Sequence, residues 1–277
     1  DWSLLVSDDH STDATRDIIA KFATSVPQHV CLIEGPGKGP AANFLSLLNH
    51  PALGCYPTAL SDQDDIWLPD KLSRFVEALG RSSDDGHEGP LLFCGATQII
   101  DEDTRPLGFS AARPRPPSFF NALVECIAGG NTMGVNREAL QLIQRTGSSI
   151  DVPFHDWWLY LLITSVGGRV IYDPVPLVLY RWHDGNLRGA RIGWRPRVKR
   201  LREFIRCDYR QWVQRNLEAL KGIEAEVTPE ARTTLQVLHT KGASGWLREK
   251  MYFSRVFRQS RVETLIIRAG LWCGFVV

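Results

Sequence analysis

Four short apolar runs, WSLLVSD, HVCLIE, CYPTALSD and LLFCGATQII, alternate with helix-like stretches between Trp2 and Ile100, and this rhythm constrains the fold more than any other feature. In STDATRDIIAKFAT, AANFLSLLNH and PDKLSRFVEAL the apolar residues recur at helical spacing, with Pro69 placed at a favourable first-turn position of the third. Strand and helix in succession predict an α/β domain with a mostly parallel sheet flanked by helices. Further along, NTMGVNREALQLIQRTG reads as strand then helix, HDWWLYLLITSVGG as a helix, and RVIYDPVPLVLYR as two short strands. The Pro-rich RPLGFSAARPRPPS breaks the pattern and is expected to form an ordered loop or lid. From about Arg195 the chain reads as nearly all helical, so the expected division is an α/β domain over 1–192 and a helical C-terminal extension over 193–277.

The 277 residues, 44% hydrophobic and 23% charged, suffice to bury a sizeable core. A net charge of +1 gives no general attraction to nucleic acid, which is not an expected partner. Arginines nonetheless outnumber acids from Arg181 to Arg215, which suits either contact with phosphates and anionic lipid or a solvated basic face. Six dispersed cysteines with no CxxC pair argue against a zinc ribbon or disulfide framework and fit a reducing cytoplasm. No signal peptide is recognisable, and because Asp1 stands directly before a strand, preceding residues are expected to be missing. The apolar run from Thr264 to Val277 is short and broken by Arg268, so peripheral contact with the inner face of the membrane is expected rather than a span.

In open α/β sheets ligands bind beyond the carboxyl ends of the strands. Both acidic clusters fall there: SDDHSTD follows the first run and SDQDD the third, so the two converge on one cleft. Asp62, Asp64 and Asp65 raise one another's pKa and disfavour folding unless a cation or hydrogen-bond donors compensate. Mg²⁺ or Mn²⁺, bridging carboxylates and substrate phosphates, fits this need. One aspartate could instead cap the helix near Pro69, but three exceed what a cap requires. A haloacid-dehalogenase D-x-D-x-T/V motif is not met, since Ile66 holds its fifth position, and neither is an EF-hand loop. Asp8 and Asp9 suit recognition of a base or ribose, or else capping of the helix that starts near Ser11. The turn GPGKGP could bring backbone N–H groups or Lys38 to a phosphate, but it is not a P-loop.

Taken together, DWSLLVSDDHSTDAT, GKGPAANFLSLL, LSDQDDIWLPDKL, GGNTMGVNREAL, HDWWLYLLITSVGG and VIYDPVPLVLYRWHDGNLRG resemble glycosyltransferase family 2, of the GT-A fold, and within it the rhamnosyltransferase-like members. The family's first strand and helix are not among the matching pieces. The resemblance implies that Asp62-Gln63-Asp64 is the DxD element, with Asp64 and Asp62 on the metal and Asp62 also near ribose. It implies that Asp8 and Asp9 read the base, that Asp156 is the catalytic base, and that His183 reaches metal or diphosphate. Arg181, His183 and Asn186 keep the family's RxHxxN letters, which places Arg181 and His183 with Lys38 among the nucleotide-sugar contacts. Asp65, Trp157 and Trp158 are the expected acceptor or sugar contacts, although large aromatics more often serve the core.

The implied reaction is a metal-dependent inverting transfer, with dTDP-L-rhamnose as the expected donor and a cell-surface polysaccharide or lipid-linked glycan as the acceptor. Desolvation beside Trp157 and Trp158 would raise the Asp156 carboxylate toward a working range. Two alternatives remain open at this point: a nucleotidyltransferase that makes sugar nucleotides, and a non-catalytic carbohydrate-binding protein.

Overall fold

The computed structural model describes residues 2–182, 208–239 and 254–272. Strand β1 (Leu4–Asp8), helix α1 (Thr15–Ser25) and strand β2 (Val30–Glu34) form a βαβ unit, with Leu4 paired to Val30 and Asp8 to Glu34 in parallel. After α2 (Pro40–Leu48) the chain enters a second sheet of six strands. These are β3 (Thr58–Ala59), β4 (Ile66–Trp67), β5 (Leu91–Ile100), β6 (Pro106–Phe109), β7 (Gly134–Val135) and β8 (Arg169–Arg181). They run in the order β3-β7-β5-β8-β4, with β6 also on β5. Helix α3 (Lys71–Asp84) follows β4, and α4 (Phe119–Ala122), α5 (Arg137–Thr146) and α6 (His155–Ser165) complete the first 182 residues.

The α/β class is as expected, but the sheet is mixed rather than mostly parallel. Among the described residues only β1 with β2 and β5 with β8 pair in parallel, whereas β3–β7, β4–β8, β5–β6 and β5–β7 are antiparallel. Three of those antiparallel partners are two residues long, too short to carry a periodic signal. The Pro-rich segment contributes β6 before its irregular part.

β8 is one strand rather than two. Its register on β5 steps from Gly95–Asp173 to Ala96–Pro176, so Pro174 and Val175 bulge out of the ladder. Proline cannot donate to a neighbouring strand, which is why the break falls there. Asp173 secures the bulge, accepting from Val175 N at 2.9 Å and from Arg74 Nε and NH2 at 2.8 and 2.7 Å.

Strand β5 explains the layers. Leu92 and Cys94 face a large core with α4, α5 and α6, while Leu91 and Phe93 face a smaller one with Phe75 and Ala78 of α3. Asn136 fixes α5 to this strand: its Oδ1 accepts from Ala139 N at 3.0 Å and Leu91 N at 2.8 Å, and its Nδ2 donates to Gly89 O at 3.0 Å. Asn136→Ala is expected to cost about 2 kcal/mol, a lost cap plus an unpaired buried N–H, read as a lower melting temperature.

The C-terminal helices α7 (Asp208–Lys221), α8 (Pro229–His239) and α9 (Arg261–Trp272) join the large core through Tyr209, Val213, Leu220, Leu235, Ile267 and Leu271. A buried carboxylate anchors the last of them. Glu125 accepts from Gln259 N at 2.7 Å and lies 3.5 and 3.6 Å from Arg113 and Arg258, so it ties the Pro-rich segment to the chain before α9. Among the described residues, no helix is long and apolar enough to cross a membrane. Cys31, Cys55, Cys94 and Cys126 are free thiols.

Candidate active site

The loop Ser61–Asp65 connects β3 to β4, and every flank of it is pinned. Leu60 N donates to Met133 O at 2.8 Å, and Ile66 and Trp67 pair with Leu179 and Val178 of β8. Asp65 accepts from the Asn131 amide and, at 3.0 Å, from Arg181 N. Arg181 donates through Nε to Asp64 O at 3.0 Å and through NH1 to Glu102 O at 2.8 Å. Asp65 and Arg181 thus hold the loop in shape, and Asp62 and Asp64 are the carboxylates it displays.

Asp62 reports on its surroundings. Burial pushes its carboxyl up to about 7, reinforced by the charges of Asp65, Asp64 and Asp156, with Lys71 opposing. Asp156 stands ninety-four positions away in sequence, yet its charge is felt at Asp62. The acidic loop and the first turn of α6 therefore lie within electrostatic reach of each other.

The start of α6 is set by close packing. The His155 ring stacks on Phe44 of α2, centroids 4.1 Å apart. A Cβ on Gly130 would lie 2.2 Å from His155 Nε2, so only glycine lets this ring in. Burial lowers the His155 pKa, with Asp156 opposing, and its Nε2 has no hydrogen-bond partner. Asp156, half-buried, accepts from Trp157 N at 2.7 Å.

Helix α2 links this end to β1. Ser7 Oγ donates to Asn43 Oδ1 at 2.5 Å and Asn43 Nδ2 to Ser7 O at 3.2 Å, one residue before Phe44. Asp8, 4% exposed, accepts from Ser11 N at 3.2 Å and Arg16 Nη1 at 3.2 Å; the Ser11 side chain first, then the Ser11 N–H and Arg16, lower its pKa against the effect of burial. Asp9 accepts from Gly37 N at 2.6 Å and Gly39 N at 3.0 Å, so it orders the Gly-rich turn on which Lys38 is exposed.

Two sequence expectations need correction. Trp157 and Trp158 are 1% and 0% exposed, and Trp157 Nε1 donates to Ala122 O at 2.6 Å, so neither ring offers a face to a sugar. They are core because α6 is apolar all round, with Trp157 to Ile163 buried without a break. Arg181, expected at the donor, has its guanidinium on the two carbonyls named above. His183 lies outside the described residues.

Sequence reasoning did not single out Lys71, Asn131 or Gly130. Lys71 is 2% exposed, and its Nζ donates to Leu60 O at 2.9 Å and Asn131 O at 2.6 Å. Burial draws its pKa down to about 7 against the pull of Asp62 and Asp65. The only available signal was a cation placed at a helix start, where the dipole disfavours it.

Among the described residues, no three His, Cys, Asp or Glu side chains gather round one point as a metal cluster. Mg²⁺ needs no such cage, since one or two carboxylates with substrate phosphates and water commonly hold it. Asp62 and Asp64 are hard oxygen donors, and the crowded charge around Asp62 is what a divalent cation relieves, so the residues fit that group.

Known proteins supply the remaining evidence. Residues 1–113 match the family described as Glycosyl transferase family 2. The chain is 27% identical over 231 residues to the dTDP-rhamnosyl transferase RfbG of Shigella flexneri, covering 79% of this chain and 76% of that protein. An uncharacterised protein of Mycobacterium tuberculosis is 30% identical over 187 residues, 65% of this chain and 50% of its own length. TuaG of Bacillus subtilis, whose name places it in teichuronic acid biosynthesis, is 30% identical over 144 residues, 52% of this chain and 54% of its own. The chain thus spans about half the length of the latter two. The matched region carries both acidic strand ends and the likeness to RfbG extends over most of the chain, so residues 1–113 are similar to glycosyl transferase family 2 and the protein is a glycosyltransferase.

Proposed function

We propose that the protein is a metal-dependent inverting transferase that moves L-rhamnose from dTDP-L-rhamnose onto a growing cell-surface polysaccharide or lipid-linked glycan. The observation that supports this reading is the acidic loop itself, where burial first and the neighbouring Asp65 and Asp64 next raise the Asp62 carboxyl, with the charge of Asp156 adding to them. The relationship to RfbG supports the choice of donor.

Asp156 accepts the proton of the acceptor hydroxyl as general base. The hydroxyl oxygen then bonds to the anomeric carbon as the bond from that carbon to the diphosphate oxygen breaks, inverting the configuration and releasing the nucleoside diphosphate. Asp62 and Asp64 would hold Mg²⁺ or Mn²⁺, which supplies neutralisation of the charge on the departing diphosphate. Asp65, Asn131 and Arg181 keep those carboxylates in place, and Asp8 and Asp9 set the β1 end where the base and ribose are read. We place the acceptor at the inner face of the membrane. Val262, Leu265, Ile266 and Trp272 of α9 are exposed and suit peripheral contact there.

The experiment is incubation with a panel of nucleotide sugars, with Mn²⁺, Mg²⁺ or EDTA, following release of the diphosphate nucleotide. Release from dTDP-L-rhamnose, lost in EDTA and restored by Mn²⁺, is expected. Release unaffected by EDTA removes the metal from the reading, and release only from another donor removes rhamnose.

A further inference from the structure

Lys71 is the first residue of α3, where a helix dipole disfavours a cation, and it is almost wholly buried, where an ammonium loses its hydration. Neither solubility nor capping accounts for a lysine there. Its contacts do: Nζ donates to the carbonyl of Leu60, which enters the acidic loop, and lies 3.5 Å from the ring centre of Trp67, which leaves it. Its other bond goes to Asn131 O, and the Asn131 amide in turn donates to Asp65 inside the loop. One side chain therefore touches the entry, the exit and the brace of the loop.

We propose that Lys71 is a positioning residue, a built-in counter-cation that holds Leu60 to Trp67 in working shape with no divalent ion bound and that weakens the loop's grip on such an ion. This rests on the reading of Asp62 and Asp64 as the cation site. Leu60 and Asn131 lie in segments that carry the displayed carboxylates and the Gly130 seat of His155, so the ammonium also couples the loop to the helix bearing Asp156. In its ammonium form Lys71 places a positive charge near Asp62 and Asp65 that opposes a second cation. Removing it strengthens divalent binding on the order of tenfold in a partly screened site.

The test is calorimetric titration of Mn²⁺ into the full chain with dTDP present, for the wild type and Lys71→Met. The variant is expected to bind Mn²⁺ about tenfold more tightly while kcat falls and the donor KM stays near the wild-type value. Equal or weaker Mn²⁺ binding by a folded variant overturns the proposal. If Lys71→Met does not fold, Lys71→Gln, which keeps an N–H donor without the charge, takes its place under the same expectation. Hydrogen exchange on the wild type tests the positioning half by itself. The amides of Leu60 and Arg181, bonded to Met133 O and Asp65, should be equally protected in EDTA and in Mn²⁺. Loss of that protection in EDTA overturns the proposal, whereas a wild type that takes up no Mn²⁺ while keeping it contradicts the cation reading beneath.

Discussion

Asp156→Asn is expected to lower kcat by two to four orders of magnitude while leaving the affinity for a nucleoside diphosphate unchanged, the span that a single general base commonly contributes. The substitution is well suited to the question. Asparagine keeps an oxygen that can accept from Trp157 N, so the first turn of α6 retains its bond. The His155 ring, between Phe44 and Gly130, does not depend on the carboxylate for its seat. What disappears is the ability to take a proton, together with one of the charges that raise Asp62. Steady-state kinetics with donor and acceptor varied separately measure the effect. A raised donor KM with unchanged kcat would instead make Asp156 a binding group.

Asp62→Asn should abolish most transfer and yet stabilise the protein at neutral pH when no divalent ion is present. The sign follows from proton linkage. The folded carboxyl titrates near 7 and the unfolded one near 3.8, so between those values the folded state holds more protons and stability falls as pH rises. The asparagine variant lacks that slope. At pH 8 in EDTA it should exceed the wild type by roughly 2 kcal/mol, below the value of about 1.4 kcal/mol per unit because the group is coupled and partly solvated. Near pH 4 the two should melt together. Mn²⁺ should raise the wild-type melting temperature at pH 8 and leave the variant's unmoved. Parallel curves across this range would show that Asp62 does not carry the crowded charge assigned to it.

The elements legible in the sequence are those with one uninterrupted pattern. LLFCGATQII is β5 from Leu91 to Ile100, and HDWWLYLLITS is α6, because strands and helices buried on both sides read as continuous apolar runs. The two-residue strands β3, β4 and β7 have no period to read, which is why the sheet looked more parallel than it is. Pro174 and Pro176 made one bent strand look like two.

At the candidate site, the acidic letters marked the loop but not the contacts its members make. Asp65 and Arg181 are engaged with Asn131 and with backbone, contacts set by chain segments distant in sequence. Trp157 and Trp158 follow Asp156 directly, and their proximity to it in sequence hid the fact that the helix turns them into the core. Lys71 was passed over because lysines are almost never fully buried unless paired, and its partners lie eleven and sixty residues away.

In the proposed reaction the acidic loop and Asp156 act on one sugar nucleotide. A crystal structure with Mn²⁺ and a nucleoside diphosphate tests it most directly. The diphosphate should lie between Asp62, Asp64 and Asp156, with the ion on the two loop carboxylates. A nucleotide bound elsewhere, leaving Asp156 with no path to its terminal phosphate, would contradict the claim.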